Sequence, residues 1–189
     1  PYKIVLPEDA TSTEEYSAEQ VAYYYEQVGG KQMQIVKGGN SEVTETSSLI
    51  SLGDTSAYVA AEKKHGKVDL SEDALNADGF AIFTYGNNVF INAYNDRGIM
   101  YGAFEFIEHT FGVKFLTEDY THVPSSSKIT LYSYDKTYRP AFKQRAYLNT
   151  SVFSKKYEYV AHMRFNTDYC IMPENMGGST KWHEFGNPA

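Results

Sequence analysis

Side chains able to do chemistry are scattered through this 189-residue sequence rather than gathered. His65, His109, His122, His162 and His183 stand at no metal-ligand spacing from one another, and no cofactor is expected. His183-Glu184 opens like a zinc-protease helix, but Asn187 stands where the second histidine belongs. Residues 73–79 have the Asn, Asp and Gly content of a calcium loop, yet its first ligand position falls on Ala74 and its twelfth on Tyr85. Glu105 and Glu108 lie i,i+3 on a predicted helix, away from its apolar stripe, and read as a solvated face rather than a catalytic pair. His162 reads as packing or surface. The single cysteine, Cys170, reads as a buried strand residue and excludes an intrachain disulfide. Asn149-Thr150-Ser151 fits a glycosylation sequon. Phosphate-binding glycine loops and nucleophile elbows are absent. The residues hold no complete catalytic constellation.

Charge narrows the partners. Lys and Arg number 17 against 24 Asp and Glu, for a net charge of −7, which argues against nucleic acid or an anionic membrane surface. No apolar run approaches the ~18 residues of a membrane helix. Aromatics make up 15% of the chain, with 17 tyrosines. Tyrosine faces meet sugars well, having an apolar body and a polar tip, but core and rim use them more often.

The elements that must position these residues follow from periodicity. Residues 3–6 form an apolar strand ended by Pro7. Ser17 with Gln20 makes a capping box for a helix over 17–28, stopped at Gly29-Gly30. Strands are expected at 32–36 and 49–52, and a weaker helix at 55–64, closed by Gly66. Two β-rich runs, 80–85 and 89–93, flank Gly86-Asn87-Asn88 as a hairpin. Asn95-Asp96 caps a helix over 97–111 whose Ile99, Met100, Ala103, Phe104, Ile107 and Phe111 share one face. Short strands follow at 113–116 and 129–132. The pattern predicts an α+β fold: a mixed or antiparallel sheet with helices packed on one face.

Near residue 135 the pattern changes. Residues 1–135 read as one domain and 136–141, around Arg139-Pro140, as a linker. Residues 142–148, 155–165 and 167–172 read as one strand–helix–strand unit. A lone unit cannot bury both faces of its strands. Residues 142–189 are therefore expected to open a second domain whose bulk lies outside the sequence, with Phe142, Tyr147, Val160, Phe165 and Ile171 facing it. Exposed in that way, the unit also invites self-association.

Asp78-Gly79-Phe80, Val89-Phe90-Ile91, Arg97-Gly98-Ile99-Met100-Tyr101-Gly102 through Glu108, and Phe111-Gly112-Val113 together resemble a known pattern. It is that of the non-catalytic N-terminal domain preceding the barrel in family 20 hexosaminidases and family 67 α-glucuronidases. The resemblance implies a chitobiase domain 2-like fold over 1–135. Residues 139–145 and 157–166 are similar to the opening of a (β/α)8 catalytic barrel, with Arg145 at the position of an arginine that binds sugar hydroxyls in family 20. Ala146 to Thr150 departs from both families' patterns. The resemblance implies a secreted or periplasmic glycoside hydrolase acting on polysaccharide or glycan-derived oligosaccharides, its catalytic carboxylates on later strands. Its implied partners are a carbohydrate substrate and the rest of the barrel in cis. A stand-alone carbohydrate-binding module and a structural interaction domain are the alternatives.

Overall fold

The computed structural model describes residues 2–29, 31–39, 43–126, 129–146, 156–166 and 172–180. β1 (Lys3–Leu6) leads through a short loop to α1 (Ser12–Gly29). This helix begins five residues before the expected Ser17, because an earlier capping box takes precedence. The Thr11 hydroxyl accepts the Glu14 N–H at 3.2 Å, and the Glu14 carboxylate accepts the Thr11 N–H at 2.9 Å. Ser17 lies inside the helix, its hydroxyl donating to the Thr13 carbonyl at 2.7 Å.

β2 (Gln34–Lys37), β3 (Leu49–Leu52), β4 (Phe80–Tyr85), β5 (Asn88–Ala93) and β8 (Asp135–Tyr138) join β1 in one sheet, in the order β2-β1-β3-β5-β4-β8. The first four in that order run parallel; β4 and β8 are antiparallel to their neighbours. The sheet is mixed, as expected. Tyr85 pairs with Asn88, so the hairpin loop is the two residues Gly86-Asn87, shorter than the three-residue tip read from sequence. A separate pair, β6 (Lys114–Thr117) with β7 (Tyr120–His122), follows α4 (Asp96–Phe111).

Side chains alternate between two cores. Ile4, Leu6, Ile50, Leu52, Ile82 and Ile91 pack with α1 and α4. Val5, Phe83 and Phe90 point the other way, against Ala57, Tyr58 and Ala61 of α2 (Ser56–His65). Helices therefore cover both faces, which corrects the one-faced layer read from sequence. The strands had signalled it: runs such as Lys3-Ile4-Val5-Leu6 are apolar at successive positions, as in strands buried on both sides.

The far edge also differs. No strand forms at the expected 129–132; Ile129 and Leu131 pack on the core from irregular chain. The edge strand is β8, whose exposed Asp135, Lys136 and Thr137 suit a position that must not recruit further strands. Residues 136–138 of the expected linker thus belong to the domain. Beyond it lie α5 (Tyr157–His162), shorter than the expected 155–165, and a 3-10 turn at Glu174–Met176. Residues 142–146 are not in a strand. Positions 147–150 and 167–171, with Tyr147, Asn149, Cys170 and Ile171, lie outside the described residues, as does His183. Val160, Ala161, Met172 and Met176 are buried in the α1/α4 core and Phe165 packs against it, whereas Phe142 is exposed.

Helix α4 lies close on the hairpin because Gly98 and Gly102 turn toward it. A Cβ on Gly98 would stand 2.3 Å from the Gly79 carbonyl oxygen and 2.6 Å from the Ala93 Cβ. Replacing a helical glycine by alanine ordinarily gains about 1 kcal/mol. Gly98→Ala is expected to reverse that sign and cost about 1–3 kcal/mol through overpacking against backbone. Urea unfolding reads it, and a variant more stable than the parent would show that the approach is not close.

Candidate functional site

The loop between α3 (Glu72–Leu75) and β4 carries Asp78, which is fully buried and has a positive φ of 68°. Four side chains meet its carboxylate. Oδ1 accepts from Arg97 Nε at 2.9 Å and Asn95 Nδ2 at 3.0 Å; Oδ2 accepts from Arg145 Nη2 at 2.9 Å and Asn166 Nδ2 at 2.7 Å. Burial alone would raise this carboxyl's pKa. The Arg97 and Arg145 guanidinium groups and the Asn95 amide outweigh it, holding Asp78 below the ordinary carboxylate range.

Each donor is fixed in turn. Asn95 caps α4, its side chain accepting the Gly98 N–H at 2.9 Å, so the helix start delivers both Asn95 and Arg97. Arg97 Nη1 donates to the Gly178 carbonyl at 3.1 Å and Nη2 to the Thr180 hydroxyl at 2.6 Å. Gly177, at φ 78°, lies against the Arg97 stem where a Cβ would clash with Cγ. Asn166 is fully buried; its Oδ1 accepts the Arg145 N–H at 2.8 Å, and Nδ2 also donates to the Lys143 carbonyl at 2.8 Å. The Tyr101 hydroxyl donates to the Phe165 carbonyl at 2.8 Å.

Arg145 donates from every guanidinium nitrogen to the protein itself. Nε reaches the Arg164 carbonyl at 2.7 Å, Nη1 the Phe142 carbonyl at 2.9 Å and Nη2 the Asp78 carboxylate, and the group lies over the Tyr101 ring. A free fork for sugar hydroxyls is not what this geometry offers; what it supports is an anchor between the 142–166 segment and the hairpin domain.

A second ionic set lies along α4. Glu105 and Glu108, read from sequence as a solvated face, instead receive Arg164, whose Nη2 is 2.5 Å from Glu108 Oε2 and 3.4 Å from Glu105 Oε2. Lys136 of the edge strand joins Glu105 at 2.5 Å. Burial opposes ionisation of Glu105, but Lys136, Arg164 and His109 lower its pKa. The other histidines are dispersed: His65 stacks on Phe83, while His109 and His122 are exposed. His162 is buried, stacked 3.7 Å from Phe115 and edge-on to Phe104, with no partner for Nε2. Among the described residues no group of three His, Cys, Asp or Glu side chains is placed to hold a metal.

This arrangement binds and orients chain. Its central carboxylate accepts from four side chains, two on each oxygen. Asp78, Arg97 and Tyr101 were legible as motif residues; their partnership with Arg145 and Asn166 was not, because those bonds to Asp78 span 67 and 88 positions.

A mixed α/β domain here holds the segment behind it through one buried carboxylate. Residues 4–106 match the family described as "Glycosyl hydrolase family 67 N-terminus", more than half of the chain, and the chain belongs to that family. No curated protein matches it. Among solved structures it is similar to a GH138 enzyme targeting pectin rhamnogalacturonan II, at 21% identity and a TM-score of 0.38. That alignment covers 57% of this chain and 10% of the enzyme, so the chain spans a small part of that protein's length.

Asp78→Asn leaves two largely buried guanidinium groups without their counter-charge and is expected to cost about 3–5 kcal/mol. Because the folded carboxyl has the lower pKa, its stabilisation is complete above the unfolded value and disappears as pH falls through the folded one. Urea midpoints of the parent should drop below about pH 4, more steeply than those of Asp78→Asn; parallel curves would remove Asp78 from the acid response.

His162 acts at higher pH. Burial, and then the Arg164 cation, push its pKa down to about 3, so the unfolded chain takes up its proton first. Stability is full above about pH 6.5 and falls toward pH 3, by about 2 kcal/mol at pH 5 from this group. His162→Phe keeps the ring stack and should flatten the change in urea midpoint between pH 7.5 and 5. An unaltered slope would place the sensitivity elsewhere.

Proposed function

We propose that this chain is the N-terminal accessory region of a secreted or periplasmic glycoside hydrolase acting on polysaccharide or glycan-derived oligosaccharides. In this reading the domain braces the opening segment of a (β/α)8 catalytic barrel and performs no chemistry itself. Family membership supports the first part. The observation that carries the second is Asp78, whose carboxylate joins donors from α4 to donors from residues 145 and 166. The chitobiase domain 2-like description suits a mixed sheet with α1 and α4 on one face, and α2 on the other is an addition to it.

Two measurements test the reading. Purified residues 1–189 should turn over no aryl glycoside above a mock preparation, since either stereochemical course needs a carboxylate pair across the scissile bond; turnover would overturn it. In the full-length enzyme, Arg145→Lys keeps the charge and loses the fork. Bracing predicts a lower Tm with kcat/KM nearly unchanged. An unchanged Tm with kcat/KM down about tenfold to a hundredfold, the value of 1–3 kcal/mol of lost substrate contacts, would return Arg145 to sugar binding.

A further inference from the structure

The chain leaves Asp78 at Arg145 and comes back to it at Asn166. Those two residues also hold each other. The Asn166 N–H donates to the Arg145 carbonyl at 3.1 Å, and the Arg145 N–H donates to Asn166 Oδ1 at 2.8 Å. The Tyr101 hydroxyl fixes the Phe165 carbonyl beside them. Helix α5 lies between these closed ends, with Val160, Ala161 and His162 buried against the domain. It finishes in a pair of bonds, Phe165 N–H to the Val160 carbonyl and Arg164 N–H to the Ala161 carbonyl, both at 3.0 Å. That motif puts a left-handed residue just past the helix, usually glycine. Here it is Arg164, at φ 56°. An L-residue in that conformation is strained, so Arg164 is a hinge that gains by opening.

We infer that α5 is an acid-released latch: in mildly acid solution it undocks from α4 and β6 while the Asp78 contacts to Arg145 and Asn166 stay closed. The release lies in His162. Its ring is 6% exposed, stacked on Phe115 with centroids 3.7 Å apart and edge-on to Phe104 at 4.6 Å, and Nε2 has no hydrogen-bond partner. A neutral imidazole fits that slot. An imidazolium there would carry a charge and an N–H with neither water nor an acceptor to meet them. The surrounding charges give no relief. On α5 itself Arg164 adds a like charge, while Glu158 faces Tyr16 and Tyr24 of α1, with Glu19 beyond Tyr16. On α4, Glu105 and Glu108 are engaged by Arg164, and Glu105 also by Lys136 and His109. Lys114 of β6 and His122 of β7 are exposed, and between these strands Asp119 pairs with Lys156, near Glu118.

The docked ring, held at a pKa of about 3 by burial and by Arg164, stays neutral where an undocked one takes up a proton. Undocking is therefore insensitive to pH above the free histidine value of about 6.5 and grows easier below it, about thirtyfold between pH 7.5 and 5. Asp78 and Glu105 have pKa values below the ordinary carboxylate range, so both remain charged over that interval. Acid thus loosens one end of the domain's hold on the downstream chain and spares the other. This regulation of the brace rests on the accessory reading above.

The test is amide hydrogen exchange of residues 1–189, read as protection factors at pH 7.5 and pH 5, with and without low urea. Amides 160–163 should be less protected than those of β4 and β5, through an opening that urea barely promotes because it exposes little surface. Their protection should fall about thirtyfold from pH 7.5 to 5, while the Arg145 and Asn166 amides keep more protection than α5 at both. His162→Phe should retain the local opening and lose its pH dependence. In the parent, the His162 ring proton should titrate well below the free histidine value, a measurement that stands whether or not the variant folds. Protection of 160–163 equal to that of β5, opening of Arg145 and Asn166 together with α5, an undiminished fall in His162→Phe, or a ring titrating like free histidine overturns the proposal. Failure of the latch leaves the accessory reading intact, whereas glycoside turnover by residues 1–189 overturns that reading and not the latch.

Discussion

A carboxylate with no exposed surface must be met by donors on every side, and Asp78 draws them from three separate stretches of chain. Much of the local geometry follows from that need. Asp78 adopts a left-handed backbone, which L-residues rarely take. Gly79 and Gly98 carry no Cβ, and so α4 starts close enough for Arg97 and Asn95 to reach it. Gly177 bends around the Arg97 stem and brings two carbonyls and the Thr180 hydroxyl to the same guanidinium. Removing the charge leaves these distortions in place without their reason.

The two ends of the sheet's helical layers divide the work. On the α1/α4 side the downstream segment is docked at the strand ends, with the Thr13 hydroxyl donating to the Glu174 carbonyl and Met172 and Met176 filling the core between. On the α2 side the same edge is open, and Asp54, Glu62 and Asp69 line it. One face of the domain thus holds its own chain and the other meets solvent.

Local signals in the sequence were the reliable ones. The Asn95 cap, the apolar stripe from Ile99 to Phe111 and the β4/β5 hairpin all follow from interactions within a few residues, and each appears close to its expected bounds. Long-range pairing was opaque. β8 is polar and pairs only because β4 offers a free edge, so nothing in Asp135–Tyr138 itself announced a strand. The start of α1 was misplaced since Thr11-x-x-Glu14 and Ser17-x-x-Gln20 carry the same signature, and the distinction lies in which backbone groups lack partners. Glu105 and Glu108 were read as solvated because Arg164, their partner, is 59 and 56 positions away. Arg145 and Asn166 suffered likewise: a side chain's chemistry is visible in sequence, but its address is not.

The separation of Asp78 from Asn166 by 88 positions also orders events in time. Every described strand of the large sheet precedes Arg139, so on a ribosome the sheet and α4 can close before the segment that completes the aspartate's shell has been made. At common elongation rates of about 5–20 residues per second, that interval is on the order of a few seconds. Throughout it Asp78 and Arg97 already form a pair, with water in the places later taken by Arg145 and Asn166. The nascent domain is therefore charge-neutral at its seam while it waits, and arrival of the downstream chain exchanges water for two prefabricated donors rather than burying a bare ion.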